Sequence, residues 1–152
     1  MSLFFPTSSK GIASFAITAA FALAILPALP ALAADYQELG VIGKWRLTKA
    51  LDSADITSRD EREARQLLGR VVTISKDAVR FGNDDCPAPG LEAQLVAPGP
   101  YVREWFHASA NNLGLPNPVT VVDLGCANVF IKGRQRIVVF WDGWFFDAKR
   151  MR

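Results

Sequence analysis

The residues able to do chemistry are few and scattered. His107 is the only histidine in the 152 residues, and Glu104 stands three positions before it, beside Arg103. On a helix Glu104 and His107 would share a face and could form an acid/base pair, with Asp123 the further carboxylate of a hydrolase-like site. No nucleophile lies near that pair in sequence, so a surface histidine is the better reading. Ser109 has no GxSxG setting of the kind a nucleophile elbow requires. Asp84 and Asp85 could offer oxygen ligands to a cation, but calcium takes about six to eight such ligands and the DxDxDG spacing is absent. Solvation of a loop is their expected role. No catalytic signature emerges, and no cofactor or metal is implied.

Cys86 and Cys126 are the only cysteines. In an oxidising compartment a lone pair most economically forms one disulfide, closing a loop of about 40 residues and stabilising the fold by up to roughly 4 kcal/mol in the chain-entropy model. A redox or metal pair is the alternative, but there is no CxxC spacing to favour it.

The N-terminus suggests the compartment. Lys10 ends a short polar start, Gly11 to Leu26 is an apolar run, and Ala31-Leu32-Ala33 offers small residues around a cleavage point. Residues 1–33 are expected to be a signal peptide, leaving 34–152 as a single exported domain, periplasmic or secreted. An uncleaved anchor is the competing reading, because the run is long enough to span a bilayer. Pro27 and Pro30 interrupt it where a signal peptide approaches its cleavage site, and no basic cluster follows. The formal charge of the whole chain is +2, and Lys10 is the only charged side chain before residue 35. Balance this close gives the remainder no overall electrostatic footprint for nucleic acid or an anionic membrane, which would need a basic excess gathered on one face.

The elements that must position these residues are mostly strands. Arg136–Arg150, RIVVFWDGWFFDAKR, reads as a hairpin: two β-prone runs meet across Asp142-Gly143, a pair suited to a two-residue turn with φ > 0. In Gly43–Thr48 the alternation places Trp45 and Leu47 on one face, with Lys44, Arg46 and Thr48 on the other. Asp52–Asp60 is polar and turn-prone. Ser58 or Asp60 is placed to cap a short helix over Glu61–Leu68, ended by Gly69. Val71–Ser75 and Ala78–Phe81 read as strands, Asn83–Gly90 as loop, and Leu91–Ala97 as a strand. Tyr101–Leu113 takes helical spacing, with Gly114 as its stop. Val119–Cys126 and Val129–Lys132 complete a count of about eight strands and two short helices. The expected class is mainly β, a small antiparallel barrel whose closure removes exposed edges.

Gly43-Lys44-Trp45 on the first strand, with Arg150 on the last, is similar to the lipocalin and wider calycin pattern. In that pattern a GxW tryptophan near one barrel end is covered by an arginine of the closing strand. The resemblance implies a calycin-like barrel in which Gly43, Trp45 and Arg150 are structural. It also implies a possible interior site for a small apolar ligand.

With no catalytic set, the expected function is an exported, inhibitor-like binding protein contacting another protein or an envelope component. The candidate contact residues are Trp105, Trp141, Trp144, Asp84 and Asp85. For the two tryptophans flanking the turn, packing at the barrel end competes with this role, since tryptophan is mostly buried. A carrier of a small apolar ligand is the alternative, and it would need an open cavity.

Overall fold

The structure is a computed structural model that describes residues 39–87 and 91–152. The signal-peptide reading of residues 1–33 lies outside them. Nine strands form one antiparallel sheet: β1 (Gly43–Ser53), β2 (Val71–Ile74), β3 (Ala78–Phe81), β4 (Asp84–Pro87), β5 (Glu92–Val96), β6 (Val119–Asp123), β7 (Asn128–Gly133), β8 (Arg136–Trp141) and β9 (Trp144–Arg150). Two helices accompany them, α1 (Glu61–Gln66) and α2 (Pro98–Phe106). The strand order is β4-β3-β2-β1-β9-β8-β7-β6-β5. The sheet is therefore an up-and-down meander in which the first strand pairs with the last, curled into a half-barrel.

The expected closure does not occur through strand pairing, because β4 and β5 remain the two edges of the sheet. A covalent tie does part of that work: Cys86 on β4 is bonded to Cys126, which lies between β6 and β7 near the other edge. The ninth strand is the one read as loop. Gly82 takes φ 65° and, with Asn83, turns the chain tightly enough for Asp84–Pro87 to pair with Ala78–Phe81. Exposed acidic residues are poor strand formers in a sheet centre but suit an edge, where charge discourages pairing with a second molecule.

Four further boundaries differ from expectation. β1 runs on to Ser53 through two register shifts against β9, which carry it past the polar residues. α2 begins at Pro98, three residues before the expected start at Tyr101, because the first helical turn has no use for the missing proline N–H. The same helix stops at Phe106, since His107 adopts a left-handed conformation with φ 48°. β6 ends at Asp123, whose side chain accepts a hydrogen bond from the Gly125 N–H at 2.7 Å and starts the turn to β7. At α1 the cap is Asp60: it accepts from the Glu63 N–H at 2.8 Å, while the Glu63 carboxylate accepts from the Asp60 N–H at 2.9 Å.

Apolar side chains fill the inner face of the sheet and part of the outer one. On the inner face, Trp45, Leu47, Val72, Ile74, Val79, Ile137, Val139, Phe146 and Ala148 form a core drawn from strands on both sides of the curl. On the outer face of β6–β9, Val119, Val121, Phe130, Val138 and Phe145 are covered by Val102 and Phe106 of α2 and by Leu113. β8 is apolar at successive positions because it is buried on both sides.

Trp45 and Arg150 close one end of the curl. They face each other across β1 and β9, and the guanidinium carbon lies 4.3 Å from the indole centroid. The Trp45 Nε1–H donates to the Val41 carbonyl at 2.7 Å. Arg150 donates from Nη1 to the Ile42 carbonyl at 3.1 Å, from Nη2 to that of Gly40, and from Nε to that of Arg134 at 3.1 Å. Gly43 has φ 147°, and a Cβ there would stand 2.6 Å from Arg150 Nη1. The glycine thus leaves room for the arginine.

Replacing the fully buried Trp45 by alanine removes about 3–5 kcal/mol of stability. In a double-mutant cycle with Arg150→Ala, the two changes are expected to be non-additive by about 0.5–2 kcal/mol, reflecting the cation–π contact; denaturant titration of the four proteins measures it. Cys86→Ser is expected to cost about 2–5 kcal/mol, and alkylation of the folded, oxidised wild type should find no free thiol.

Candidate functional site

At the end of the curl opposite Arg150, the hairpin turn is held by the segment leading into α1. Asp142 adopts φ 54° and Gly143 φ 82°, the left-handed pair expected of this turn. Thr57 packs so closely on Gly143 that a Cβ there would meet it at 2.6 Å. Ser58 Oγ donates to the Asp142 carboxylate at 2.8 Å, and the Arg59 guanidinium forms an ion pair with it. Burial pushes the Asp142 carboxyl upward, but the Ser58 hydrogen bond and the Arg59 cation outweigh it, so the group titrates below the ordinary carboxylate range.

This arrangement occupies the two tryptophans that flank the turn. Trp144 is buried and its Nε1–H donates to the Arg59 carbonyl at 2.9 Å. Trp141 is half-buried and stacks on Phe81, with centroids 4.1 Å apart and planes at 13°, under the Arg59 guanidinium at 6.0 Å. Both pack at the end of the curl. Asp84 and Asp85 are exposed on β4, where Asp85 is paired with Arg80 at 2.9 Å.

Trp105 is placed differently. It lies on the outward side of α2 and is 66% exposed, while its neighbour Phe106 turns into the outer core. Beside it Ile56 is 90% exposed. Together with Ala54, Asp55, Phe106, His107 and Phe140 they line a mainly apolar cleft of about 470 Å³.

The cleft has a stiff base. The Ala54 N–H donates to the Gly143 carbonyl at 2.9 Å and the Asp55 N–H to the His107 carbonyl at 3.1 Å, so this strand of chain is pinned between the hairpin turn and the end of α2. Under it, Phe106 packs edge-on to Phe140 at 4.5 Å and to Phe145 at 5.7 Å. Tyr101, 5.9 Å from the Phe106 ring, accepts a hydrogen bond from the Gln94 side chain at 2.8 Å. Its phenol is pushed above the ordinary value by burial and by the Asp123 charge, the Gln94 bond opposing them, so it stays neutral at physiological pH.

Polar groups border the apolar cleft. His107 and Asp55 also line a neighbouring cleft with Arg103, Asp52 and Ser109. Glu104 borders another with Arg103, and Asp123 one with Tyr101 and Trp105. The structure thus distributes Glu104, His107 and Asp123 among separate clefts. Ile56 was not singled out by sequence; its place in a polar run, between Asp55 and Thr57, was the available signal. No family model, curated protein or solved structure matches the chain, and the reading of the site rests on its own geometry.

The Asp142 contacts have a pH signature. A carboxylate held below its unfolded value contributes stability that is complete above about pH 4 and is lost as pH falls through the folded value. Asparagine tolerates the left-handed turn position, so Asp142→Asn isolates the charge. Its melting temperature should lie below that of wild type at neutral pH, and the gap should close on acidification below about pH 4 in a calorimetric series.

Proposed function

We propose that this protein is an exported, non-enzymatic binding protein that contacts a partner protein through the outward side of α2, in an inhibitor-like manner. The observation that carries the reading is the exposure of Trp105 and Ile56 around an apolar cleft whose base is hydrogen-bonded to the hairpin turn and to the end of α2. Large aromatic side chains on a stiff support, surrounded by charged groups that exclude water at the margin, are the usual makings of an energetic centre at a protein interface. Holding Trp105 out in water has no benefit to the isolated fold, whereas covering it with a partner removes much of its surface from solvent.

Two other features support this assignment. The disulfide and the sequence of residues 1–33 fit an exported protein, periplasmic or secreted, and among the described residues no helix is long and apolar enough to cross a membrane. The curled meander, with Gly43, Trp45 and Arg150 gathered at one end, is what a calycin-like relationship would produce. Yet the inner face is packed with Trp45, Phe146, Ile74 and their neighbours. That packing favours an external contact over a carrier's cavity.

Trp105→Ala is the decisive variant. Being solvent-exposed, the change should leave folding stability within about 0.5 kcal/mol. Captures from the source envelope or medium with wild type and variant should differ by one partner, whose affinity then falls by about thirtyfold or more in titration calorimetry, the scale of an interface centre. Equal capture and equal affinity would overturn the assignment.

A further inference from the structure

Several basic side chains gather on the part of the outer sheet face formed by β1, β9 and the start of β8. Arg46 on β1 is the cross-strand partner of Lys149 on β9, and Lys149 is the partner of Arg136 on β8. Directly paired residues point to the same face, so three cations stand in one row across three adjacent strands, all of them exposed. At a strand spacing of about 4.8 Å the row is about 10 Å wide. A second row runs from Lys44 through Thr73 to Arg80, which is neutralised by its neighbour Asp85 at 2.9 Å, so among the described residues Lys44 is the free cation of that row.

Compensation within the fold is partial. Asp147, buried on β9, takes both Lys132 at 3.2 Å and Arg136, and it also receives the Thr48 hydroxyl at 3.4 Å. Lys44, Arg46 and Lys149 have no ion-pair partner among the described residues. Like charges set directly opposite each other destabilise a sheet, and Lys149 has one on either side. The close charge balance of the chain beyond residue 34 hides this gathering of cations.

We propose that this face docks on an anionic lipid surface, with Arg46, Lys149 and Lys44 meeting phosphate-bearing headgroups. The cations stand on the outer, convex side of a curled sheet and not in a groove, which suits a broad charged layer. Single-stranded nucleic acid is bound by stacking bases on aromatic side chains within a basic groove, and among the described residues the large aromatic side chain that is exposed, Trp105, belongs to the α2 surface. Long basic side chains gain from an anionic leaflet by Coulomb attraction that falls off within a Debye length, so the contact is reversible and salt-sensitive. It leaves the Trp105 cleft free for a protein partner.

The test is co-sedimentation of the full chain with phosphatidylcholine vesicles, with and without phosphatidylglycerol, at low and high salt. Anything residues 1–33 contribute, the Lys10 charge included, is common to every variant. Wild type should bind the anionic vesicles more strongly and lose that excess at high salt. Arg46→Gln with Lys149→Gln should weaken the excess by about tenfold or more, while Arg46→Lys with Lys149→Arg retains it. Arg62→Gln on α1 should have no effect, and thermal melts confirm that each variant is folded. Equal binding to both vesicle types, or an excess untouched by the double glutamine variant, would overturn the proposal. Stronger, Arg46- and Lys149-dependent binding to a duplex DNA competitor would overturn it too, making the face a nucleic-acid surface.

Discussion

The contact between Arg150 and Trp45 governs the architecture more than any other. A guanidinium over an indole would be a modest attraction by itself. Here the same cation also takes carbonyls of Gly40, Ile42 and Arg134, joining the lead-in to β1, the turn after β7 and the end of β9. These carbonyls lie where strand pairing runs out, and a single planar side chain with several donors satisfies groups that would otherwise need water. Gly43 is what allows the approach.

A second constraint follows from a sheet that is apolar on both sides. Strands β6–β9 cannot leave their outer face to solvent, and α2 is the cover. With Val102 and Phe106 four residues apart turned inward, position 105 falls about 80° from the centre of that stripe, on the flank of the helix at the margin of the sheet. The exposed tryptophan is therefore a result of how the cover is docked. Further along the outer face, beyond the reach of α2, Asp147 marks the change from apolar to charged: Phe145 lies on one side of it in the strand and Lys149 on the other. One strand thus serves a core, an ion-pair centre and a charged surface in succession.

Much of the fold was legible because alternation and turn chemistry agreed. The final hairpin, the inward direction of Trp45 and Leu47, the capping role of Asp60 and the cysteine bridge all rest on local rules that the structure obeys. The ninth strand was hidden by its composition: edge strands tolerate acidic residues and proline, so Asp84–Pro87 has the look of a loop. The limits of α2 were displaced by a proline turn that starts a helix as readily as it ends a strand, and by His107 taking a conformation usually left to glycine. Of the three tryptophans read as contact candidates, Trp105 is exposed, whereas Trp141 and Trp144 are drawn inward by Phe81 and Arg59, partners distant in sequence. The rows on the outer face require the strand register, which no local pattern carries, while Ile56 offered only its place in a polar run.

The pairing of β1 with β9 has a kinetic meaning. These strands meet across about a hundred residues of chain, and β1 joins the two halves of the sheet. β2 and β3, or β7 and β8, can form hairpins as soon as they are made, but neither can acquire the inner core until residues near 150 arrive. Non-local closure of this kind slows folding, because the entropy of a large loop must be lost before the contacts reward it. A chain elongating from its N-terminus therefore stays without its central pairing through most of synthesis, a state that would suit the export proposed above, in which the chain is threaded before its cysteines are oxidised.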